Sequence, residues 1–301
     1  MLTVRQPDGS EPEAAGRGQG GALVLFSLLL QLCTVLRWRR RATPRDLSPC
    51  LQCRSTLKQF VRDWSDEGKE ERAECYGKLL TRLEEIYRKK TRVLVPGSGL
   101  CRLNFECCHL GFETQGNEFS VHMLLASYVI LNLVTEPYSL SLHPYLHQSC
   151  NLIGTGDQFR EVKVPDLIPN HTLAPGSKFS MVAGEFAECY GKQEAEWDVF
   201  CSCFFLDTAH NIFDYLRLIK QILKPGGYLI NIGPLLWHYA DQAHEESVEV
   251  SWEELRSIMV QMGFEFLHEE FIDAHYTSNN KSMMRMRYNA IHFVARKKEE
   301  A

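Results

Sequence analysis

Two residue patterns in this sequence of 301 residues could do chemistry. The first is Gly97-Ser98-Gly99, which follows the apolar run Arg92–Val95 and precedes a helical pattern from about Leu103. Glycines let the main chain turn tightly and pass close to a ligand, and the amides opening the next helix point at that ligand. Glu118 lies 21 residues after Gly97, at the end of a second apolar stretch, where a carboxylate can accept two hydrogen bonds from a ribose diol. Strand, glycine turn, helix and acid in that order cradle a nucleotide. The second pattern is Leu223-Lys224-Pro225-Gly226-Gly227, in which Pro stops a helix and the glycine pair permits a sharp return into an apolar strand.

The two patterns together narrow the nucleotide. A dinucleotide turn reads G-x-G-x-x-G, whereas Arg102 stands at the third glycine position here. The Lys-Pro-Gly-Gly return after a strand–helix unit is common in S-adenosylmethionine methyltransferases and unusual in dehydrogenases. Methyl transfer from a sulfonium needs no acid–base machinery to create the electrophile. The protein has mainly to hold the acceptor in line with the methyl–sulfur bond.

The elements that must position these residues alternate. Residues 55–90 read as two helices with apolar residues at helical spacing and many i,i+4 charge pairs, forming a cap. Strands are expected at Arg92–Val95, Phe112–Gly116, Asp198–Phe205, Tyr228–Ile232 and Tyr288–Arg296, and helices at Leu103–Leu110, Val121–Asn132, Ile212–Leu223 and Trp252–Met262. Residues 137–180 read as an irregular insert rich in Pro, His and Asn. The expectation is an α/β fold: a doubly wound, Rossmann-like parallel sheet over residues 91–299, with its ligand outside the carboxyl ends of the strands.

Composition excludes several classes. An apolar content of 45% with 24% charged residues is that of a soluble globular chain. Residues 1–50 carry seven Arg against four acids, so the net −5 leaves about −8 on the remainder, which argues against a nucleic-acid partner. Eleven cysteines without framework spacing suggest free thiols in a reducing compartment. The lone Cys50-Leu51-Gln52-Cys53 has no downstream pair, so no metal is expected. Residues 1–54 form an atypical extension that contains the 15-residue apolar run Ala22–Leu36, short of the roughly 20 residues of a membrane span. The body is expected in the cytoplasm, with the nucleus a second compartment left open.

The segments STLKQFVRDWS, LVPGSGL, QGNEFS, FSMVAGEF, CFFLDTAHN, ILKPGGYLINIGPLLWH and SMMRMRYN, in that order from Ser55 to about Lys298, resemble those of the carnosine N-methyltransferases. DTAHN together with GPLLWH is the specific part. The resemblance implies a class I methyltransferase that moves a methyl group from S-adenosylmethionine to an imidazole nitrogen of carnosine, giving anserine. It implies cofactor contacts from Gln59, Arg62, Gly97, Gly99 and Glu118, with Glu185 and Phe186 beside the adenine. It implies that Asp207 and His238 hold the acceptor ring and act in catalysis, with Tyr288 and Tyr276 completing the acceptor pocket, and it suggests a homodimer. Read without the resemblance, Asp207 could equally be a helix N-cap, His238 an ordinary half-buried histidine, Tyr288 a core residue, and Gln59 and Arg62 a solvated helix face.

Cys101 and Glu185 depart from the family pattern, which has Gly and Asp there. A left-handed backbone at Cys101 would cost roughly 1–2 kcal/mol, expected as about tenfold in cofactor affinity. The competing readings are a methyltransferase acting on a peptide or protein histidine, a weakened or non-catalytic paralogue, and a dinucleotide oxidoreductase.

Overall fold

The computed structural model describes residues 2–3, 44–86 and 91–299; Ala22–Leu36 and the arginines after it lie outside the described residues. Seven strands form one sheet: β1 (Arg92–Pro96), β2 (Glu113–Glu118), β3 (Phe179–Ala183), β4 (Trp197–Cys203), β5 (Leu223–Gly233), β6 (Phe264–His275) and β7 (Arg287–Lys297). Their spatial order is β3-β2-β1-β4-β5-β7-β6, and the two-residue strand Leu2–Thr3 pairs antiparallel with β3. β1 to β5 run parallel, and the chain order reverses at β1, which puts a crevice outside the carboxyl ends of β1 and β4.

The sheet is mixed rather than all parallel, because β7 runs antiparallel to both β5 and β6. β3 and β6 were not expected from the sequence. β3 is short and emerges from the insert. β6 (FEFLHEEFIDAH) is an edge strand whose acidic, partly exposed residues mask the period-two pattern. The Lys-Pro-Gly-Gly return is also different in kind. The helix ends at Ile222, and residues 223–227 already belong to β5 as a bulge: Trp197 pairs with Leu223 but Val199 with Tyr228.

Helix α1 (Pro44–Trp64) and the continuous helical run α2 (Lys69–Arg72, a π turn Ala73–Gly77, then Lys78–Ile86) form the cap. α3 (Arg102–His109), α4 (Val121–Tyr128), α5 (Phe186–Tyr190), α6 (Ile212–Ile222) and α7 (Trp252–Gln261) follow the strands. The insert is partly ordered by a two-stranded ribbon, Leu140–Leu142 with Val162–Val164, whose inward residues join Leu57, Phe60 and Trp64 of α1 in one apolar cluster. No helix among the described residues is long and apolar enough to cross a membrane.

The last carbonyls of α1 determine where the cap sits. A helix end leaves four carbonyls without intrahelical partners. Here Arg72 Nη1 donates to the carbonyls of Arg62 and Ser65 at 2.7 and 2.8 Å, Arg102 Nη1 to that of Asp63 at 2.8 Å, and the Asp166 amide to that of Trp64 at 2.9 Å. The Asp166 carboxylate bridges the two arginines, at 2.9 Å from Arg72 and 2.7 Å from Arg102. Arg102, at the position of the missing third glycine, therefore pins the cap to the glycine turn. Gly68 makes the reversal after α1 possible, since a Cβ there would meet the carbonyl oxygens of Val61 and Arg62 at 2.3 and 2.2 Å. Burial, and then the neighbouring Arg102 charge, pull Arg72 below the usual arginine range, so the pair depends on its shared carboxylate. Asp166→Ala is expected to lower stability by about 3–5 kcal/mol, read as a fall in the urea midpoint with little change in slope.

Candidate active site

The glycine turn has the geometry of a cradle. Gly97 and Gly99 are both left-handed, with φ of 58° and 54°. A Cβ on Gly97 would meet the Phe205 ring at 2.7 Å, so glycine is required there. Gly99 is roomier: the nearest atoms to an added Cβ are Asp63 Oδ2 at 3.8 Å and Gln59 Nε2 at 4.0 Å, both from α1. Glu118 ends β2, and its two oxygens accept from the amides of Gly99 and Ser120, each at 2.8 Å. Burial pushes this carboxyl above the usual range while the two amides pull it back, and each oxygen keeps a lone pair for a further donor.

Cys101 adopts the left-handed conformation considered above, with φ of 67°, and its buried thiol lies 3.1 Å from the Met181 sulfur. The left-handed backbone is therefore the conformation this side chain has to adopt, at roughly 1–2 kcal/mol.

From α1, Gln59 and Arg62 both reach the sheet edge and are 5% exposed, which overturns the solvated-face alternative. Gln59 Nε2 donates to the Tyr276 hydroxyl at 2.7 Å, while its buried Oε1 has no partner. The Arg62 guanidinium forms an ion pair with Glu71 at 3.2 Å, lies 3.5 Å from the Cys203 sulfur, and sits 4.7 Å from the centre of the Tyr276 ring. Removal from water pushes the Tyr276 hydroxyl up to about 12. Tyr288, half-buried on β7, meets Phe204 edge-on at 5.6 Å, and Phe204 in turn packs on Tyr276 at 4.7 Å.

Phe204 was missed by sequence reasoning, although its own sequence neighbours carry the signal. It follows β4 directly, has a φ of 55°, and is clamped by its amide to the Ile232 carbonyl at 2.8 Å. A left-handed bulky residue at a strand end marks stored strain, which concentrates at functional sites.

Asp207 and His238 come together at the ends of β4 and β5. Asp207 lies in the short turn Leu206–Thr208 and is not the helix N-cap; Asn211 takes that role, accepting from the Phe213 amide at 3.0 Å. The loop after β5 is stitched to Asp207 by three bonds of 3.0 Å each: Leu236 N–H to Oδ2, and both the amide and Nδ1 of His238 to the Asp207 carbonyl. A carbonyl can only accept, so His238 carries a proton on Nδ1, and the neutral ring in this tautomer has Nε2 as its acceptor. His238 itself is exposed. The buried Asp207 Oδ1 has no partner, and burial raises this carboxyl to about 6, against the opposing pull of His238.

Glu185 and Phe186 stand at the start of α5. Glu185 caps α5, its Oε2 accepting from the Glu188 amide at 2.8 Å, with the Tyr215 hydroxyl 3.5 Å from Oε1. The Phe186 ring is enclosed by Tyr190, Phe200, Phe205 and Tyr215 rather than open to a stacking partner. Its amide opens the helix and has no intrahelical acceptor, which is what this position can offer. The open aromatic at this rim is Phe119, beside Glu118 and 73% exposed. His268, Glu270 and His292 also cluster, but Lys78 lies 3.2 Å from Glu270 and Arg82 3.2 Å from His268, so cations already occupy their surroundings.

A strand order with one antiparallel intruder, a glycine turn facing an acid, and Asp207 with His238 beyond the neighbouring strand ends are the architecture of the class I S-adenosylmethionine-dependent methyltransferase fold. One solved chain, from the complex of the Haloferax volcanii Trm112 methyltransferase activator with the putative methyltransferase, aligns at a TM-score of 0.51 and 13% identity over 86% of this chain and 99% of its own. The sequence matches the profile of carnosine N-methyltransferase over residues 40–299, and the chain belongs to that family. The mouse carnosine N-methyltransferase is 45% identical over 81% of this chain and 62% of its own length, and the Schizosaccharomyces pombe one 42% identical over 80% and 69%. The chain thus spans about three-fifths of the length of its mouse relative.

Asp207 generates a pH prediction. Its native carboxyl holds a proton up to about pH 6 where the unfolded one releases it near 3.8, so native stability falls as pH rises through that window. Asp207→Asn removes this penalty. It is expected to match wild type near pH 4 and to exceed it above pH 6 by up to about 3 kcal/mol, measured by urea unfolding across that range.

Proposed function

We propose that this chain transfers the methyl group of S-adenosylmethionine to an imidazole nitrogen of carnosine, giving anserine and S-adenosylhomocysteine. The observation that carries the reading is the unpartnered, buried Asp207 oxygen beside a histidine of fixed tautomer, at the carboxyl ends of β4 and β5. The name of the relatives supports the choice of acceptor.

The residues fit the cofactor. Glu118 has lone pairs left for the ribose diol, Arg62 suits a carboxylate, and the buried Gln59 Oε1 suits an ammonium group. When bound, S-adenosylmethionine supplies the electrophilic methyl. The chain's part is to present the acceptor. An imidazole attacks through its unprotonated nitrogen, so its other nitrogen must carry the proton and face a hydrogen-bond acceptor. Asp207 Oδ1 is such an acceptor, and as a carboxylate above about pH 6 it stabilises the imidazolium that forms and can take the surplus proton. His238 Nε2 offers a second acceptor for a donor of the dipeptide. Phe204, Tyr276 and Tyr288 wall the pocket, and aromatic faces favour a cationic ring. Nine free cysteines among the described residues suit a reducing compartment such as the cytoplasm.

Purified protein incubated with methyl-labelled S-adenosylmethionine should label carnosine, with the product identified by mass spectrometry. Asp207→Ala should remove most of that activity, a loss on the order of 100-fold or more in kcat/KM. Label on a protein histidine with none on carnosine would favour the peptide-histidine reading, and cofactor binding without transfer to any imidazole would favour a non-catalytic paralogue.

A further inference from the structure

Tyr276 is held by contacts that converge on one carboxylate of the cap. Glu71, in the first turn of α2, is 8% exposed. Its Oε1 accepts from the Thr277 amide at 2.6 Å and pairs with Arg62 Nε at 3.2 Å, while its Oε2 accepts from the Ser278 amide at 3.1 Å. Thr277 is left-handed, with a φ of 50°, and successive amides around such a residue form a concavity that suits an anion. One turn along, Glu74 accepts from the His275 amide at 3.1 Å and contacts His275 Nδ1 at 3.0 Å. The main chain on both sides of Tyr276 is thus tied to α2. Its ring packs against both the Arg62 guanidinium and the Phe204 ring, which also lie within 5.8 Å of each other, and its hydroxyl meets Gln59.

The two acids differ in what they touch. Glu74 touches only the end of β6. Glu71 touches both that segment and Arg62, and it contacts neither the glycine turn nor Asp207. Removing its charge would leave a buried guanidinium with a misdirected fork and two amides without an anion.

Resting on the functional reading above, we propose that Glu71 is a positioning residue that aligns Arg62 toward the cofactor and Tyr276 toward the acceptor as a single unit. A neutral amide of the same size cannot do both, because it has one accepting oxygen for the Thr277 and Ser278 amides and no charge to pair with Arg62. Glu71 therefore couples the two halves of the site, and Glu74 supports the acceptor half alone.

The test compares Glu71→Gln and Glu74→Gln in the full chain. For Glu71→Gln, the Kd for S-adenosylhomocysteine by calorimetry and the KM for carnosine should both rise about tenfold, with kcat changed less. For Glu74→Gln, KM alone should rise. Hydrogen exchange of the peptide carrying the Thr277 and Ser278 amides should quicken about tenfold in Glu71→Gln, with or without ligand. If Glu71→Gln does not fold, Glu71→Asp, which keeps the charge but shortens the reach, is read in the same way. Unchanged exchange and unchanged Kd in the Glu71 variant, or equal shifts of Kd and KM in both variants, would overturn the proposal. Wild-type protein that binds no cofactor would instead sink the functional reading, and the exchange measurement would still decide whether Glu71 holds the segment.

Discussion

The end of α1 is the constraint on which the site depends. Four successive carbonyls, from Arg62 to Ser65, are each met by Arg72, Arg102 or Asp166. These residues come from the second cap helix, the helix after the glycine turn, and the insert. Three sequence regions that could otherwise drift are joined at one helix terminus, where the partial negative charge of the carbonyls favours cations. Trp64 adds a directional bond, its indole N–H donating to the Leu100 carbonyl at 2.9 Å within the turn itself. Gln59 and Arg62, one turn earlier on α1, inherit their placement from this anchor. A cofactor site shared between a sheet and a separate cap needs such a joint, because apolar packing alone is non-directional.

The acceptor side is built on the opposite principle. The last carbonyls of α1 are all met, whereas at the strand ends Asp207 keeps Oδ2 on the Leu236 amide and leaves Oδ1 buried and without a partner. An unpaired buried oxygen is costly, and it survives because the surrounding main chain is stitched from both sides. The same stitching orients His238 through the carbonyl of Asp207 rather than through its carboxylate, so the buried Oδ1 of Asp207 and the exposed ring of His238 are not partners of one another. Phe204 adds its left-handed backbone to the same short segment. A left-handed Phe204 and an unmet oxygen on Asp207 thus lie within a few residues of one another between the end of β4 and the start of α6.

The sequence made the local parts legible. The glycine turn, Glu118, and the placement of Asp207 and His238 beyond strand ends all depend on residues within one strand–loop unit, and each stands where expected. What was hidden depends on contacts between distant segments. Arg102 looked like a broken motif until Asp63 and Asp166, 39 and 64 residues away, were seen against it. The Lys-Pro-Gly-Gly return was read as a turn, and only the pairing with β4 reveals it as a bulge. β6 and the reversal of β7 escaped because an edge strand with acids on its open face lacks the alternation of a buried one.

The two departures from the family pattern act at different levels. At Cys101 the backbone is left-handed, and the cost of a side chain there is offset in part by a buried sulfur packed on Met181. Affinity would suffer only if binding required the turn to deepen that strain, and Gly99, not Cys101, is the residue whose amide reaches Glu118. At Glu185 the extra methylene is absorbed locally, because the longer carboxylate folds back onto the Glu188 amide as a helix cap. The cap leaves Glu185 Oε1 near the Tyr215 hydroxyl, at 3.5 Å. Both substitutions are therefore absorbed by contacts local to the glycine turn and to the start of α5.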